Sequence, residues 1–475
     1  MNQTLNERGL SRSAVFAQPQ LMFEDETSAI RTAAIDALHF ATAIYTAQPV
    51  VDDLLDRLNW PAAKTKLLDP SCGDGMFLAR ALERLLALGL DIDPCDLIEG
   101  WEIHPGACGE ARVRVAEVLQ KHGVDARFAI ITATRMVHNK DFLVDGPTTL
   151  YGCVAGNPPY LRAAHVPAYL REIYSGVVPD YASADLLHSF LERCSRVVEP
   201  GGKIALVTAD RWLTNASAAR LREALGKRVS LAHVERLAVG SAFYRPKFRR
   251  KGSSPRIHPI SIVLGADEGG RALSMEPIYP GVDETPYEGL PTLGEVAKVR
   301  LAPWLGTAGV FVVDAEVAKR LPPEVLIPAV DTDDFCDGKL QAPRRWAIRT
   351  RPDEEPCREV LDHLHRTMDT MAERGKQGKF WLPPEPFHQL DLSQESLLVP
   401  RIAKGPKAVR IPPDCLAINH NLSIVSAGKA NLAEIESALA SPLAHQWVKD
   451  HADRLENSYH SLTTTLLRKL PFVPR

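Results

Sequence analysis

The fold is decided by the stretch from Lys66 to Leu82, which reads KLLDPSCGDGMFLARAL. Its apolar start predicts a short buried strand, and the apolar residues after Met76 recur at helical spacing. Between them, Gly73 and Gly75 lack a Cβ atom, so the backbone can turn sharply and a ligand can approach it closely. A strand, a tight glycine loop and a helix in this order are typical of nucleotide sites in doubly wound α/β folds.

The sequence around this stretch alternates short apolar runs with longer amphipathic segments. Helical segments between several of the runs imply crossover connections and a mostly parallel sheet, so we predict an α/β domain. Helices are predicted at 25–43, 76–90 and 186–198, and strands at 66–69, 96–103, 128–133, 151–157, 203–209, 234–239 and 259–266.

Composition places the chain among ordinary globular proteins. Its 475 residues are 45% apolar and 24% charged, with a net charge of -3, which excludes disorder, collagen and coiled coil as descriptions of the whole. The eight cysteines are scattered singly and are interpreted as reduced thiols. No stretch resembles a membrane span or a signal peptide, so we predict a cytoplasmic protein without a membrane partner.

Two acidic positions beyond the glycine loop define the predicted ligand. Glu102 ends the second predicted strand, where its carboxylate can accept hydrogen bonds from both hydroxyls of a ribose. Asp141 and Phe142 follow the third, and they offer an acceptor for an exocyclic amine beside an apolar plane for a purine. Either acid alone could be a solvated loop residue, but together they indicate an adenosine ligand without a diphosphate.

The fourth predicted strand ends in the loop Asn157-Pro158-Pro159-Tyr160. The two prolines fix the backbone and remove two N–H donors, which leaves the Asn157 side-chain oxygen and the Pro158 carbonyl as acceptors. Such a loop can hold both hydrogens of a planar amino group while its nitrogen attacks an electrophile, with Tyr160 as a stacking surface. A purely structural turn is the alternative.

Together, DPSCGDGMF and NPPY resemble the S-adenosylmethionine-dependent DNA methyltransferases that methylate amino groups, in particular the TaqI-like adenine-N6 enzymes. The resemblance implies a Rossmann-like class I methyltransferase domain with a mostly parallel seven-stranded sheet, followed by an α+β target recognition domain. We therefore expect a flexible N-terminus at 1–24, the catalytic domain at 25–268, a linker at 269–290 and the recognition domain at 291–475.

The resemblance also assigns roles to individual residues. Cofactor contacts are expected from Thr46, Asp69, Pro70, Ser71, Cys72, Gly73, Gly75, Glu102, Ile103, Asp141, Phe142 and Asn157. The catalytic loop is expected to hold a flipped adenine, with Phe243 packing against the other side of the base and Tyr244 as the weaker candidate. The Ala that replaces the family's Pro after Thr46, and the basic insertion after Phe243, depart from the family pattern.

DNA contacts are expected from basic clusters. One directly follows Phe243, and two lie in the second domain, although runs of charge are often only solvated surface. The candidates are Arg245, Lys247, Arg249, Arg250, Lys251, Arg344, Arg345, Arg401 and Lys404. The His-bearing segments at 258–263 and 420–425 are interpreted as strand starts, and no metal site is predicted.

The predicted function is site-specific transfer of a methyl group to adenine N6 in double-stranded DNA, within a restriction-modification or defence system. Cleavage would come from a separate endonuclease, because the segment before Thr46 is too short for a nuclease domain. A monomer is expected. The rival functions are methylation of RNA or of a protein glutamine, and a silent DNA-binding subunit.

Overall fold

The computed structural model describes residues 13–61, 65–89, 92–245, 258–266, 269–336, 338–372 and 378–474. The chain divides into two compact units, Met1–Gly281 and Val282–Arg475. Each unit has a buried apolar core of its own. In the described part of the chain, the helices are all too short or too polar to cross a membrane.

The first unit contains a central sheet and a small ribbon. Its strands are β1 (Tyr45–Thr46), β2 (Leu67–Asp69), β3 (Ile98–Trp101), β4 (Val137–His138), β5 (Tyr151–Gly156), β6 (Val198–Ala209), β7 (Ser230–Arg236), β8 (Phe243–Arg245) and β9 (Pro259–Gly265). Seven of them form one sheet in the order β4-β3-β2-β5-β6-β9-β7. The pairs from β4 to β6 are parallel, and β9 is antiparallel to both β6 and β7. The predicted mostly parallel seven-stranded sheet is confirmed.

Helices cover both faces of this sheet, because its strands are apolar on both sides. Leu67 packs into the core cluster of one face, whereas Leu68 packs into the other, as alternation along a strand requires. The helices of the unit are α1 (Ser13–Thr42), α2 (Gln48–Arg57), α3 (Met76–Leu86), α4 (Pro94–Leu97), α5 (Pro105–Lys121), α6 (Ala126–Met136), α7 (Ala168–Ser175), α8 (Leu186–Val197), α9 (Arg211–Thr214), α10 (Ala219–Gly226) and α11 (Val239–Ala242).

The strand predicted at 128–133 is wrong, since these residues belong to α6. The Asp125 carboxylate caps this helix by accepting the N–H of Arg127 at 2.9 Å. The helix buries alanines and Met136, and it leaves Phe128 66% exposed on its outer face. The apolar run at 128–133 is part of a helix whose larger apolar residues face outward. The strand expected there is β4, which begins directly after the helix.

The second unit has several small sheets beside short helices, which confirms the predicted α+β class. Among its described strands, only β12 and β19 pair in parallel. The strands are β10 (Ala297–Leu301), β11 (Val312–Asp314), β12 (Leu326–Val330), β13 (Phe335–Cys336), β14 (Lys339–Leu340), β15 (Arg345–Ile348), β16 (Ser396–Val399), β17 (Ile402–Ala403), β18 (Val409–Ile411), β19 (Leu416–Ala417), β20 (Leu422–Ser426), β21 (Asp453–Arg454) and β22 (His460–Ser461). The helices are α12 (Leu293–Val296), α13 (Ala315–Ala318), α14 (Arg358–Thr367), α15 (Leu432–Leu439), α16 (Pro442–His451) and α17 (Thr464–Lys469).

Candidate functional site

The glycine loop joins the end of β2 to the start of α3. Gly73 and Gly75 have φ angles of 55° and 82°, in the left-handed region that favours glycine. The N–H of Cys72 donates to the carbonyl of Trp101 at 2.8 Å, which ties the loop to the end of β3. The loop therefore lies at the carboxyl ends of neighbouring parallel strands, as its sequence predicts.

Glu102 binds two loops at once. Its Oε2 accepts the N–H of Gly73 at 3.0 Å, and its Oε1 accepts the N–H of His104 at 2.8 Å. Burial raises the pKa of this carboxyl group, whereas the two backbone hydrogen bonds oppose the rise. Each oxygen keeps a second lone pair, so the fixed carboxylate can still accept hydrogen bonds from a ligand.

Asp141 and Phe142 form the wall that follows β4. The Asp141 carboxylate accepts the hydroxyl of Tyr174 and the N–H of Leu143, each at 2.9 Å. Phe142 is buried and stacks on Phe190, with 5.6 Å between the ring centroids. The result is a polar acceptor next to a flat apolar surface.

These elements line one cleft, which is open to solvent. Gly75 lies outside its lining and is the N-cap residue directly before α3. The predicted cofactor residues that line the cleft are Thr46, Asp69, Pro70, Ser71, Cys72, Gly73, Glu102, Ile103, Asp141, Phe142 and Asn157.

Two hydroxyl groups of the cleft are left without a hydrogen bond. The Oγ1 of Thr46 and the Oγ of Ser71 are buried and find no partner among the described residues. A buried hydroxyl without a partner is unfavourable by about 1–3 kcal/mol, so such groups indicate a place where a ligand completes the hydrogen bonding. A polar ligand group between Thr46 and Ser71 fits this observation.

Asp69 is the most buried acid of the cleft, with 1% of its surface exposed. Burial raises its pKa well above the usual value, and the charges of Glu102 and Asp74 add to this rise. A carboxyl group whose pKa is raised on folding destabilises the fold as the pH rises from the unfolded pKa through the folded one. The negative charge of Asp69 therefore costs stability at neutral pH.

Replacing Asp69 by Asn is expected to raise the melting temperature of the ligand-free protein at pH 8. The amide can still accept the N–H of Ser71, which lies 3.2 Å from Oδ1, but it carries no buried charge. Each kcal/mol gained corresponds to about 2–4 °C. The gain should shrink as the pH falls toward about 4, where the unfolded carboxyl group is half protonated. Melting curves at pH 8 and pH 5 test this, with the exposed Asp180→Asn as control. A lower melting temperature of the Asp69→Asn variant at pH 8 would contradict it.

The Asn157-Pro158-Pro159-Tyr160 loop follows β5 and reaches the same cleft. Asn157 and Pro159 line the cleft, whereas Pro158 and Tyr160 are not part of its lining. The Asn157 Nδ2 donates to the carbonyl of Ile44 at 3.0 Å, so its Oδ1 is the end left to accept. The Tyr160 hydroxyl contacts this Oδ1 and lies 3.1 Å from the carbonyl of Val207. The loop is therefore bound to Ile44, directly before β1, and to Val207 in β6.

The structure does not place Phe243 at the cleft. Its ring is 7% exposed and packs into the core cluster of α2 and α3, because β8 pairs with β1 and turns this side chain inward. Tyr244, the next residue, is turned outward with 36% exposed. Its hydroxyl contacts Asp74 of the glycine loop and lies 3.2 Å from a guanidinium nitrogen of Arg114. Tyr244 is thus the more exposed aromatic residue of this pair.

The predicted DNA contacts differ in their surroundings. Arg344 and Arg345 form ion pairs with Asp333 and Asp334, so a phosphate would have to compete with these carboxylates. Arg401 is exposed. Lys404 is exposed too, and its ammonium lies 5.5 Å from the ring of Tyr459. For Arg245 only the backbone is described, and Lys247, Arg249, Arg250 and Lys251 lie outside the described residues.

Several cleft residues did not stand out in the sequence. Tyr174 on α7 bonds Asp141, and Phe190 on α8 completes the apolar wall. Lys140 also lines the cleft, as does His39 from the end of α1. The spacing of Leu186 and Phe190, four residues apart on α8, is the one local signal that they share a helix face.

Comparison with known proteins supports this description. The family model of the Eco57I restriction-modification methylase matches residues 120–238, which include the NPPY loop. The type II methyltransferase M.PaeR7I of Pseudomonas aeruginosa is 24% identical over 504 aligned residues, covering 91% of this chain and 86% of that protein. The type II methyltransferase M.XhoI of Xanthomonas vasicola is 25% identical over 495 aligned residues, covering 90% of each.

A solved structure shows the same fold. The type IIL restriction-modification enzyme MmeI, determined in complex with DNA, matches with a TM-score of 0.56 at 14% identity, over 96% of this chain and 67% of that one. The first unit has the mostly parallel seven-stranded sheet that the loop motifs imply. Over about nine-tenths of its length the chain is thus similar to type II methyltransferases, and over residues 120–238 it is similar to the Eco57I restriction-modification methylases.

Proposed function

We propose that the chain is the modification enzyme of a restriction-modification system and transfers a methyl group from S-adenosyl-L-methionine to N6 of adenine in double-stranded DNA. The observation that carries this proposal is the meeting of Asn157 with the cleft of Thr46, Glu102 and Asp141. The cleft offers contacts for a nucleoside and for a polar amino-acid group, and Asn157 offers an amine acceptor at its edge.

The residues of the cleft fit this cofactor. The unsatisfied hydroxyls of Thr46 and Ser71 suit its amino-acid part, Glu102 suits the ribose, and Asp141 with Phe142 suits the adenine. When bound, the cofactor supplies an electrophilic methyl group. The role of the protein is then to orient the attacking amine and to keep water away from it.

Asn157 is the residue that orients the amine. The bond from its Nδ2 to Ile44 fixes the direction of the carboxamide, and Oδ1 has lone pairs for both the Tyr160 hydroxyl and an amine hydrogen. The Pro158 carbonyl is the natural acceptor for the second hydrogen. Proximity and alignment favour the transfer, and no strongly basic group is needed if the proton leaves after the methyl group arrives.

The double-stranded substrate requires that the base leaves the helix. Extrusion costs a few kcal/mol, which contacts between cations and phosphates must offset. Arg401 and Lys404 are exposed candidates in the second unit, and among the described residues neither forms an ion pair with a carboxylate. We propose Tyr244 in place of Phe243 as the second aromatic residue near the base, because Tyr244 is exposed whereas Phe243 is buried.

The test is to express the chain in a host that lacks adenine methylation and to map modified bases across the genome. A short motif with methylated adenine is expected, and the Asn157→Ala variant should leave the same genome unmodified. Methylated cytosine instead would keep the chemistry and overturn the choice of base. Methyl label in RNA or in a protein glutamine, with unmodified DNA, would overturn the substrate.

The Tyr160 hydroxyl is expected to contribute to this reaction through Asn157. Tyr160→Phe should lower the single-turnover rate by about 5- to 10-fold, because one hydrogen bond that fixes Asn157 is lost. Tyr160→Ala should lower it by a further factor of about 10 or more through loss of base stacking. Tyr181→Phe is the matched control, since this half-buried tyrosine bonds Glu192 at 2.9 Å and is not part of the cleft lining. An unchanged rate for Tyr160→Phe would show that the hydroxyl is dispensable.

A further inference from the structure

Asp185, directly before α8, makes more contacts than a helix cap requires. It is 5% exposed, and its Oδ1 accepts the N–H of Leu187 at 3.1 Å, which caps the helix. The same oxygen accepts the N–H of Leu161 at 3.2 Å. The other oxygen lies 2.7 Å from a guanidinium nitrogen of Arg211. Two of these three contacts lead away from the helix.

The contact between Asp185 and Leu161 holds the chain directly after the catalytic loop. Leu161 follows Tyr160, and its carbonyl accepts the N–H of Leu186 at 2.8 Å. Ala163 donates to the carbonyl of Ala184 at 3.1 Å. Since Pro158 and Pro159 have no N–H groups, the loop cannot be anchored through their nitrogens. The start of α8 therefore anchors the loop at its C-terminal end.

The contact between Asp185 and Arg211 links the start of α8 to the end of β6. Arg211 lies two residues after the end of this strand. The carbonyl of Val207 within the strand lies 3.1 Å from the Tyr160 hydroxyl, whose one proton is shared between this carbonyl and Asn157 Oδ1. Tyr160 is thus fixed at its hydroxyl by β6, and its following backbone is fixed by Asp185. Asp185 in turn is bound through Arg211 to the end of β6. The contacts close a ring around Tyr160.

The same helix also touches the proposed cofactor site. Leu186 and Phe190 line the cleft, and Phe190 stacks on Phe142. One rigid element therefore contacts the wall for the adenine of the cofactor and holds the loop for the target base. A change at Asp185, directly before this helix, is therefore expected to shift the loop relative to that wall.

We propose that Asp185, braced by Arg211, is a positioning residue that sets the aim of the Asn157-to-Tyr160 loop at the methyl donor. The proposal rests on the proposed function. Asp185 is expected to affect the rate of transfer rather than cofactor affinity, because neither Asp185 nor Arg211 is among the residues that line the cleft.

The experiment uses the full chain, radiolabelled S-adenosyl-L-methionine and a duplex with the motif mapped for the wild type. Asp185→Asn keeps an oxygen for the backbone N–H groups but places an amide against Arg211. We expect its single-turnover rate to fall by about 10- to 100-fold, while the dissociation constant of the cofactor stays within about twofold. Arg211→Gln in the same chain restores an amide pair, and the double variant should recover at least half of the loss on a logarithmic scale.

Asp93 provides a matched control. It caps α4 through the N–H of Cys95 and pairs with Arg135 at 2.9 Å, as Asp185 does with its own partners, but it does not contact the loop. Asp93→Asn should leave the rate unchanged. An Asp185→Asn variant that loses thermal stability without losing rate would reduce Asp185 to a helix cap and overturn the proposal. Equal losses of rate and cofactor affinity, or no recovery in the double variant, would overturn it as well. A wild type that leaves the duplex unmethylated would instead contradict the proposed function.

Discussion

Replacing Asn157 by Ala is expected to lower methyl transfer by at least about 1,000-fold while cofactor affinity changes by less than about threefold. Of the NPPY side chains that line the cleft, only that of Asn157 has a hydrogen-bond acceptor, its Oδ1. Without it, the amine loses both an acceptor and the alignment that the Ile44 contact provides. The contacts proposed between the cofactor and Thr46, Glu102 and Asp141 do not involve the Asn157 side chain. Single-turnover assays and calorimetric titration of the cofactor measure the two effects separately.

The Asn157→Asp variant tests the role of the accepting Oδ1 separately from that of the donating Nδ2. The carboxylate retains an oxygen for the amine, but it cannot donate to the Ile44 carbonyl, and two acceptors would then face each other. Its rate should therefore lie between those of the wild type and Asn157→Ala. Equal losses of transfer and cofactor affinity in Asn157→Ala would show that the residue belongs to the cofactor site and does not orient the amine.

The part of the site that local sequence could predict is the part built from strand ends. Asp69, Glu102 and Asn157 each follow an apolar run directly, and parallel strands bring their carboxyl ends to one edge of the sheet. Asp141 lines the cleft although the strand before it was misplaced, because α6 and β4 both precede it closely. The helix was missed because its larger apolar residues Phe128, Ile130 and Ile131 are exposed, so their spacing did not report which face is buried.

Other features depend on tertiary contacts that no local pattern carries. Phe243 and Tyr244 are adjacent aromatic residues, and only the pairing of β8 with β1 decides which of them is exposed. Arg344 and Arg345 form a basic cluster in sequence, but two aspartates ten to twelve positions earlier neutralise them. The Asp185 contact to Leu161 joins residues 24 positions apart. Such pairs become visible only when the chain is folded.

Gly75→Ala is expected to weaken cofactor binding by at least about tenfold, which corresponds to about 1.4 kcal/mol. Two physical effects add at this position. A left-handed backbone costs an alanine about 1–2 kcal/mol, since Gly75 has a φ angle of 82°. In addition, the new Cβ would lie 2.8 Å from the Cα of Ala111 on α5, so the loop or the helix must move. Either movement shifts Cys72 and Gly73, which line the cleft.

Gly89→Ala separates these two effects, because Gly89 lies just beyond the other end of the same helix. Its φ angle is 61°, and a Cβ there meets no atom within 4 Å. Both variants should melt at a lower temperature than the wild type, since both suffer the backbone strain. Only Gly75→Ala should also lose cofactor affinity, because only there does the side chain collide with a neighbour of the loop. Calorimetric titration with S-adenosyl-L-methionine, beside melting curves, measures both quantities. If the two variants bound the cofactor equally well, the glycine loop could absorb the Ala111 collision without moving its cleft residues, and the tight approach of α5 would have no role in shaping the site.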